Sequence, residues 1–303
     1  MSQLELRAVS RWYGNVVAVN DITMTIGTGV TGLLGPNGAG KSTLLHMMAG
    51  FLPPSSGTVT IDGAPTWRRP EIYDAVGLVP EREAAYTFLT AREFVVASAK
   101  LHKLPNPDAA AARALEIVEL TDAADRKIGT YSKGMRQRAK VASALVHDPN
   151  VLLLDEPFNG MDPRQRLHMM DLLKGLAAAG RTVLFSSHIL EEVERLSDVV
   201  QVVVAGRLAA SGDFREIRRL MTDRPHVFTI RSTDDRKLAS ALMTTAHTAG
   251  VAIEGEGLRV HAADFGSFTR ALAGIARTNE IGLREVIPAD ESLESVFSYL
   301  VRR

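Results

Sequence analysis

The chain contains no cysteine among its 303 residues. Disulfide bonds, thiolate metal sites and cysteine nucleophiles are therefore excluded. An excess of either charge is also missing, because 35 Lys and Arg residues balance 35 Asp and Glu residues. Proteins that bind nucleic acids in bulk usually carry a basic face. The neutral balance argues against that class of protein, so no nucleic-acid partner is expected.

Long apolar runs are the third absence. No stretch approaches the roughly 18 to 20 residues that a membrane-spanning helix needs. The densest run, Val199 to Ala205, has only the length of a strand. The first residues lack the apolar segment of a signal peptide. We therefore expect a chain that stays where it is made, so any link to a membrane must pass through a partner.

Short apolar runs alternate with helical periodicity up to about residue 221, where we place the end of a first domain. The runs VLLLDE (151–156) and TVLFSSH (182–188) are continuous, as expected for strands covered on both faces. This alternation predicts an α/β fold with a mostly parallel sheet. The first 31 residues instead predict short strands with turns, which favours an antiparallel β subdomain. The stretch at about 82–147 is interpreted as a helical subdomain.

A shift in composition near Met221 to Pro225 predicts a second, accessory or regulatory α+β domain at 222–303. Its order of elements fits the split βαβ arrangement of ferredoxin-like domains. The elements are strands at 227–231, 251–254, 258–261 and 281–287 and helices at 235–249 and 265–277. A last helix is expected at 291–301, because four apolar residues share one helical face. They are Leu293, Val296, Phe297 and Leu300.

A glycine-rich segment between a strand and a helix matches a phosphate-binding loop in full. It comprises Gly35, Pro36, Asn37, Gly38, Ala39, Gly40, Lys41 and Ser42, and Thr43 supports the same turn. Glycines let backbone N–H groups turn toward phosphates, and the helix N-terminus adds unsatisfied donors. Lys41 is expected to reach the β- and γ-phosphates and Ser42 to bind Mg²⁺. The alternative is a chance glycine turn before a helix.

Two adjacent carboxylates, Asp155 and Glu156, end the apolar strand VLLLDE. Neighbouring residues on a strand point to opposite faces, so the two side chains have different roles. Asp155 is suited to holding Mg²⁺ through Ser42 and water. Glu156 is suited to polarising the water that attacks the γ-phosphate. The alternative is a strand end capped by solvated acids.

A third motif lies between these two, at the start of a helix that continues as RQRAKVASAL. It consists of Tyr131, Ser132, Lys133, Gly134 and Met135. With the phosphate loop and the paired carboxylates, it makes residues 4 to about 215 resemble the ATP-binding subunits of ABC transporters. In that family the signature motif of one subunit closes over the γ-phosphate held by the other. The alternative is an ordinary amphipathic helix start.

The signature departs from the family's common Leu-Ser-Gly-Gly-Gln at three positions. Tyr131, Lys133 and Met135 replace Leu, the middle Gly and Gln, and this form resembles a branch associated with drug and antibiotic export. Ser132 and Gly134 keep the family residues, and with the helix N-terminus they can form a second anion site. Glu81 stands where the family usually has Gln, and a carboxylate there can still approach Mg²⁺ or a water.

The resemblance assigns three further residues. Tyr13 matches the aromatic residue that stacks on adenine, with core packing as its alternative and Trp12 as the second candidate. His188 matches the switch histidine that contacts the γ-phosphate. Asp162 matches the D-loop, which helps to organise the dimer interface. The segment YTFLTAREF (86–94) resembles the part that docks on the membrane subunit, the alternative being a solvent-facing loop.

The resemblance implies an ATPase with the fold of the ABC family, ATP and Mg²⁺ as cofactors, and a transmembrane permease as partner. It also implies a second nucleotide-binding subunit, expected as a homodimer, at the cytoplasmic face of the cell membrane as a peripheral protein. The signature form, Glu81 and the C-terminal tail favour export of a drug, lipid or other small molecule. The alternatives are a soluble ABC-type ATPase outside transport, an ABC importer subunit and a generic P-loop kinase.

Overall fold

The computed structural model describes residues 2–82, 86–213, 226–255 and 257–288. It divides the chain into two compact units, Met1–Phe214 and Arg215–Arg303. The predicted boundary between residues 221 and 222 and the predicted helix at 291–301 lie outside the described residues. Among the described helices, none has the length and apolar character that crossing a membrane requires.

The first unit contains two sheets and the helices that cover them. Its strands are β1 (Leu4–Tyr13), β2 (Val16–Ile26), β3 (Gly29–Leu34), β4 (Ser56–Ile61), β5 (Ala64–Pro65), β6 (Val76–Val79), β7 (Val151–Leu154), β8 (Thr182–Ser187), β9 (Val199–Val204) and β10 (Arg207–Asp213). Its helices are α1 (Lys41–Met48), α2 (Ile72–Ala75), α3 (Ala91–Leu101), α4 (Pro107–Ile117), α5 (Lys133–Leu145), α6 (Pro163–Ala178) and α7 (Leu190–Leu196).

The central sheet has the strand order β10-β9-β3-β8-β7-β6. All its neighbouring strands are parallel except the edge pair of β9 and β10. Every residue of β7 and β8 is buried, which explains their continuous apolar sequences. Because β3, β7 and β8 are parallel, the segments that follow them emerge at one edge of the sheet. The predicted mostly parallel core sheet is confirmed.

The N-terminal strands form a separate antiparallel sheet with the order β2-β1-β4-β5, as predicted. Its buried side chains alternate along β1 and β2, because one face packs on the core. One hydrophobic cluster joins this sheet to the central one through α1. Leu44 and Met48 of α1 belong to that cluster and are fully buried. The helix that follows the phosphate loop is thus held between two sheets.

The helices α3, α4 and α5 fill the segment predicted to be helical, and each begins at a side-chain cap. Thr90 and Glu93 form a capping box at α3, and Asn106 accepts the N–H of Ala109 at α4. Ser132 caps α5 in the same way. The caps satisfy backbone donors that a helix N-terminus otherwise leaves unpaired. Ser132, in the signature motif, therefore also determines where α5 begins.

The second unit is an α+β unit whose four strands pair in an antiparallel sheet. Its elements are β11 (His226–Ser232), α8 (Asp235–Met243), β12 (Thr248–Glu254), β13 (Gly257–Ala262), α9 (Phe265–Thr278) and β14 (Leu283–Pro288). The strand order β12-β13-β11-β14 is that of a ferredoxin-like βαββαβ unit. Apolar residues of both helices and of the sheet form its core, among them Phe228, Leu238 and Phe268.

The helix predicted at 235–249 is too long. In the structure α8 ends at Met243, and Thr248 already pairs with Ala262 in the sheet. Threonine hydroxyls bind the last helical carbonyls, because Oγ1 of Thr244 donates to Ala241 and Oγ1 of Thr245 donates to Leu242. Pairing in the sheet and these local bonds outweigh helical propensity at this boundary.

Candidate functional site

The phosphate loop connects β3 to α1 with glycine at two crowded positions. A Cβ atom on Gly35 would lie 2.3 Å from the carbonyl oxygen of Val203, and one on Gly40 would lie 2.4 Å from that of Ala18. Gly40 also has a φ of 102°, which side chains rarely allow. It gives α1 no side-chain cap, so the first N–H groups of the helix are available to an anion.

Lys41 points its buried side chain back into the loop. Its Nζ donates to the carbonyl oxygens of Gly35 at 2.7 Å and Pro36 at 3.3 Å. The same ammonium lies 3.3 Å from Oε1 of Glu156. Ser42 and Thr43 follow in the first turn of α1. A cation enclosed by the loop in this way suits the binding of a phosphate chain.

Asp155 and Glu156 follow β7 and are both buried. Ser186 of β8 holds them, since its hydroxyl donates to Oδ1 of Asp155 at 2.6 Å and accepts the N–H of Glu156 at 2.8 Å. Glu156 has a φ of 48°, and this left-handed conformation costs a residue with a side chain about 1–2 kcal/mol. The bond from its N–H to Ser186 stabilises that strained conformation.

His188 follows β8 and completes the surroundings of Glu156. Its Nδ1 lies 2.9 Å from Oε2 of Glu156, while the Lys41 ammonium lies near the other oxygen. Oε1 accepts no hydrogen bond from a described residue, because Lys41 directs its own bonds to Gly35 and Pro36. The carboxylate is therefore hydrogen-bonded at Oε2 and ion-paired with Lys41 at Oε1, which still lacks a hydrogen bond from a described residue.

The described residues of this region offer single oxygen donors to a metal and no cluster of ligands. Among the residues that the structure describes, no group of three or more carboxylate and imidazole side chains could hold a metal by itself. The Ser42 hydroxyl and the Asp155 carboxylate are hard oxygen donors, which suit Mg²⁺ when phosphates supply further ligands.

Glu81 lies in a cleft of about 440 Å³ that also reaches Glu156. Nδ2 of Asn159 donates to Oε1 of Glu81 at 3.4 Å. The buried ammonium of Lys140, on α5, donates to the carbonyls of Pro80 at 2.6 Å and Arg82 at 3.1 Å. The loop that carries Glu81 is thus tied to the helix that follows the signature.

The signature motif is exposed at Ser132 and buried at Tyr131. Oγ of Ser132 accepts the N–H of Met135 at 3.2 Å and the Nε2 of Gln165 at 3.3 Å. Gly134 is buried against the Gln165 side chain, which occupies the space of a Cβ. The Tyr131 hydroxyl donates to the carbonyl of Ala123 at 2.5 Å, and burial raises its pKa. Tyr131 therefore anchors the motif from inside.

These elements are found together in a known family. Residues 19–159 match the family model described as ABC transporter. The chain is 33% identical over 307 residues to the linearmycin resistance ATP-binding protein LnrL of Bacillus subtilis (strain 168), covering 99% of this chain and 98% of that protein. The chain belongs to the ABC transporter ATP-binding proteins. As a member, it binds ATP, hydrolyses it to power transport, and works with a membrane permease component.

Other ABC proteins match a smaller share of the chain. The Nod factor export ATP-binding protein I of Burkholderia orbicola (strain AU 1054) is 39% identical over 219 residues, or 70% of this chain and 71% of that protein. Among solved structures, cbiO1 from Clostridium perfringens, part of the ABC transporter complex cbiONQ, superimposes with a TM-score of 0.65. It is 28% identical and covers 72% of this chain and 93% of that one.

Three other expected sites of the ABC protein lie outside the phosphate loop and the paired carboxylates. Tyr13 is 47% exposed beneath the guanidinium of Arg11, so its ring does not pack in the core. Asp162 caps α6 by accepting the N–H of Gln165 at 2.9 Å. Tyr86 and Phe88, in the expected docking segment, are exposed, and their rings contact each other.

Sequence reasoning missed Ser186, Gln165 and Lys140. Only Ser186 had a usable signal, because β7 and β8 are adjacent parallel strands. Leu154 pairs with Phe185, so the next residues along, Asp155 and Ser186, come side by side. The sequence predicted both strands but not their register.

Proposed function

We propose that this protein is the ATP-hydrolysing subunit of an ABC exporter for a drug, lipid or other small molecule. The names of its relatives support export, since one is a linearmycin resistance protein and another a Nod factor export protein. The match to the first of them covers nearly the whole chain, including the accessory domain proposed at 222–303 beside the nucleotide-binding domain at 1–221.

ATP binds at the phosphate loop in this proposal, with the adenine on Tyr13. The N–H groups of the loop and of α1 bind the phosphates, and Lys41 moves its hydrogen bonds from carbonyls to the β- and γ-phosphates. Ser42 and Asp155 would hold Mg²⁺, and Glu81 would approach the same region. Bound Mg²⁺ supplies positive charge that neutralises the phosphate oxygens.

The position of Glu156 carries the proposal. Its carboxylate is buried and held by His188 at Oε2. Once Lys41 turns from Oε1 to the phosphates, Oε1 can accept a proton from the attacking water. His188 contacts the γ-phosphate while it keeps the bond to Glu156 that the structure shows, so one imidazole aligns the base with the triphosphate.

A second copy of the chain completes the site. Ser132 and the backbone of Gly134 face the γ-phosphate of the other protomer, with the N-terminus of α5 as an additional anion site. Asp162 helps to align the two copies. Because the γ-phosphate is contacted from both sides only before cleavage, hydrolysis opens the dimer and moves the permease. The pair works at the cytoplasmic face of the cell membrane.

Co-purification from detergent-solubilised membranes tests this proposal. The tagged chain should retain a polytopic membrane protein, and vesicles containing both should hydrolyse ATP while moving substrate away from the nucleotide side. Association with soluble proteins alone would support an ABC-type ATPase outside transport. Movement toward the nucleotide side would identify an importer.

A further inference from the structure

A buried carboxylate that this mechanism does not use lies one helical turn beyond His188. Glu192, on α7, keeps only 4% of its side chain exposed. Burial raises the pKa of the Glu192 carboxyl, while the bond from Ser187 and the charge of Arg166 oppose that rise. A buried charge is costly unless partners offset it, so these two side chains stabilise Glu192 in its position.

Ser187 links Glu192 to the turn that carries His188. Its hydroxyl donates to Oε2 of Glu192 at 2.6 Å and accepts the backbone N–H of Ile189 at 3.0 Å. The residues on both sides of His188 are thereby connected to one buried carboxylate.

Arg166 connects the same carboxylate to α6. Its Nη1 lies 3.3 Å from Oε1 of Glu192. In sequence, Arg166 lies one helical turn after Asp162, whose side chain caps α6. In the proposed dimer, Asp162 belongs to the segment at the interface. A displacement of α6 would therefore move the guanidinium relative to the carboxylate that holds the His188 turn.

We propose that Arg166 and Glu192 form a positioning pair, which holds His188 at Glu156 and makes hydrolysis depend on the position of α6. This inference rests on the proposed role of His188. The pair acts through Ser187 and the turn, without contacting the reacting atoms. Loss of the pair lets the imidazole of His188 leave Glu156. A small misplacement of a catalytic group strongly lowers the rate of the chemical step.

A double-mutant cycle on the ATPase activity of the full-length protein tests the pair. Glu192→Gln keeps the size of the side chain and removes its charge, and we expect kcat to fall about tenfold while KM for ATP changes less than about twofold. Glu191→Gln removes the same charge from the exposed neighbour on α7 and should change neither constant. In a His188→Ala background, Glu192→Gln should cause no additional loss.

The two proposals fail separately. An unchanged kcat in His188→Ala would contradict the proposed role of His188 itself. If His188→Ala does reduce kcat, two results overturn the positioning pair. One is an unchanged kcat in Glu192→Gln, and the other is a fully additive loss in the double variant. If Glu192→Gln does not fold, Arg166→Met replaces it, because the Arg166 side chain is 32% exposed. Arg166→Lys should then recover part of the kcat lost in Arg166→Met.

Discussion

The ammonium of Lys41 lies 3.3 Å from Oε1 of Glu156, although the two residues follow different strands of the central sheet. Their side chains are only 6% and 9% exposed. Charges attract more strongly in such surroundings than in water. The phosphate loop and the proposed base therefore act on each other directly, and substitutions at either residue should affect binding and turnover differently.

Glu156→Gln removes the proposed base and keeps the size of its side chain. We expect turnover to fall by about 100-fold or more, because Gln cannot accept a proton from the attacking water. ATP binding should persist, since Lys41 loses a competing carboxylate. Phosphate release and the binding of a fluorescent ATP analogue measure the two effects. Lys41→Ala should instead abolish binding, and turnover near the unsubstituted level in Glu156→Gln would exclude this base.

Ser186→Ala removes the hydroxyl that binds the Asp155 carboxylate and the backbone N–H of Glu156. We expect a loss of about 1–2 kcal/mol in the free energy of unfolding, because a buried carboxylate and a buried N–H each lose a partner. The kcat should also fall, because the backbone of Glu156 is no longer held by Ser186. Thermal unfolding and ATPase assays check both. Ser211→Ala, at an exposed position of β10, is the matched control and should change neither.

Phe88→Ser tests the expected docking segment. The ring is 68% exposed and contacts only its neighbour Tyr86 among the described aromatic rings. Its removal should therefore leave folding and the basal ATPase activity unchanged, while the amount of membrane partner retained in a pull-down falls. The substitution Phe51→Ser, at another exposed aromatic residue outside the segment, should not reduce that amount. Equal retention in both variants would favour a solvent-facing loop.

His147 makes stability depend on pH. Burial and the stacked ring of His102 lower the pKa of His147 to about 4, from 6.5 in an unfolded chain. Between these values the unfolded state binds a proton that the folded state does not, so stability decreases as pH falls from 6.5 toward 4. We expect a loss of about 1–2 kcal/mol, because the ring is only partly buried. His147→Phe should flatten this slope in urea titrations, and an unchanged slope would exclude His147 as its source.

Phe228→Ala tests whether the second unit folds by itself. The ring is buried and lies 4.8 Å from that of Phe268 in the core of this unit. Its removal leaves a cavity and should cost about 3–5 kcal/mol. We expect proteolysis to become faster after residue 225, while ATP binding by the first unit persists. Loss of ATP binding in this variant would show that the units do not fold independently.

Local sequence was sufficient to locate the phosphate loop and the paired carboxylates and to predict the order of the elements. Gly40 and Lys41 show why, because a strand, a glycine turn and a helix N-terminus form one continuous binding site. The end of α8 was predicted wrongly, since pairing between Thr248 and Ala262 depends on a strand distant in the chain.

Ser187, Arg166 and Glu192 have no local pattern that marks them as residues that support the site, and Ser186 is marked only as part of a buried strand. Strand register brings Ser186 beside Asp155, and the packing of α6 brings Arg166 to Glu192. Residue types at fixed spacing therefore predicted the groups that we propose as nucleotide contacts. The groups that hold them in place became visible only in the folded chain, because a hydrogen bond to a buried carboxylate requires proximity in space and not proximity in sequence.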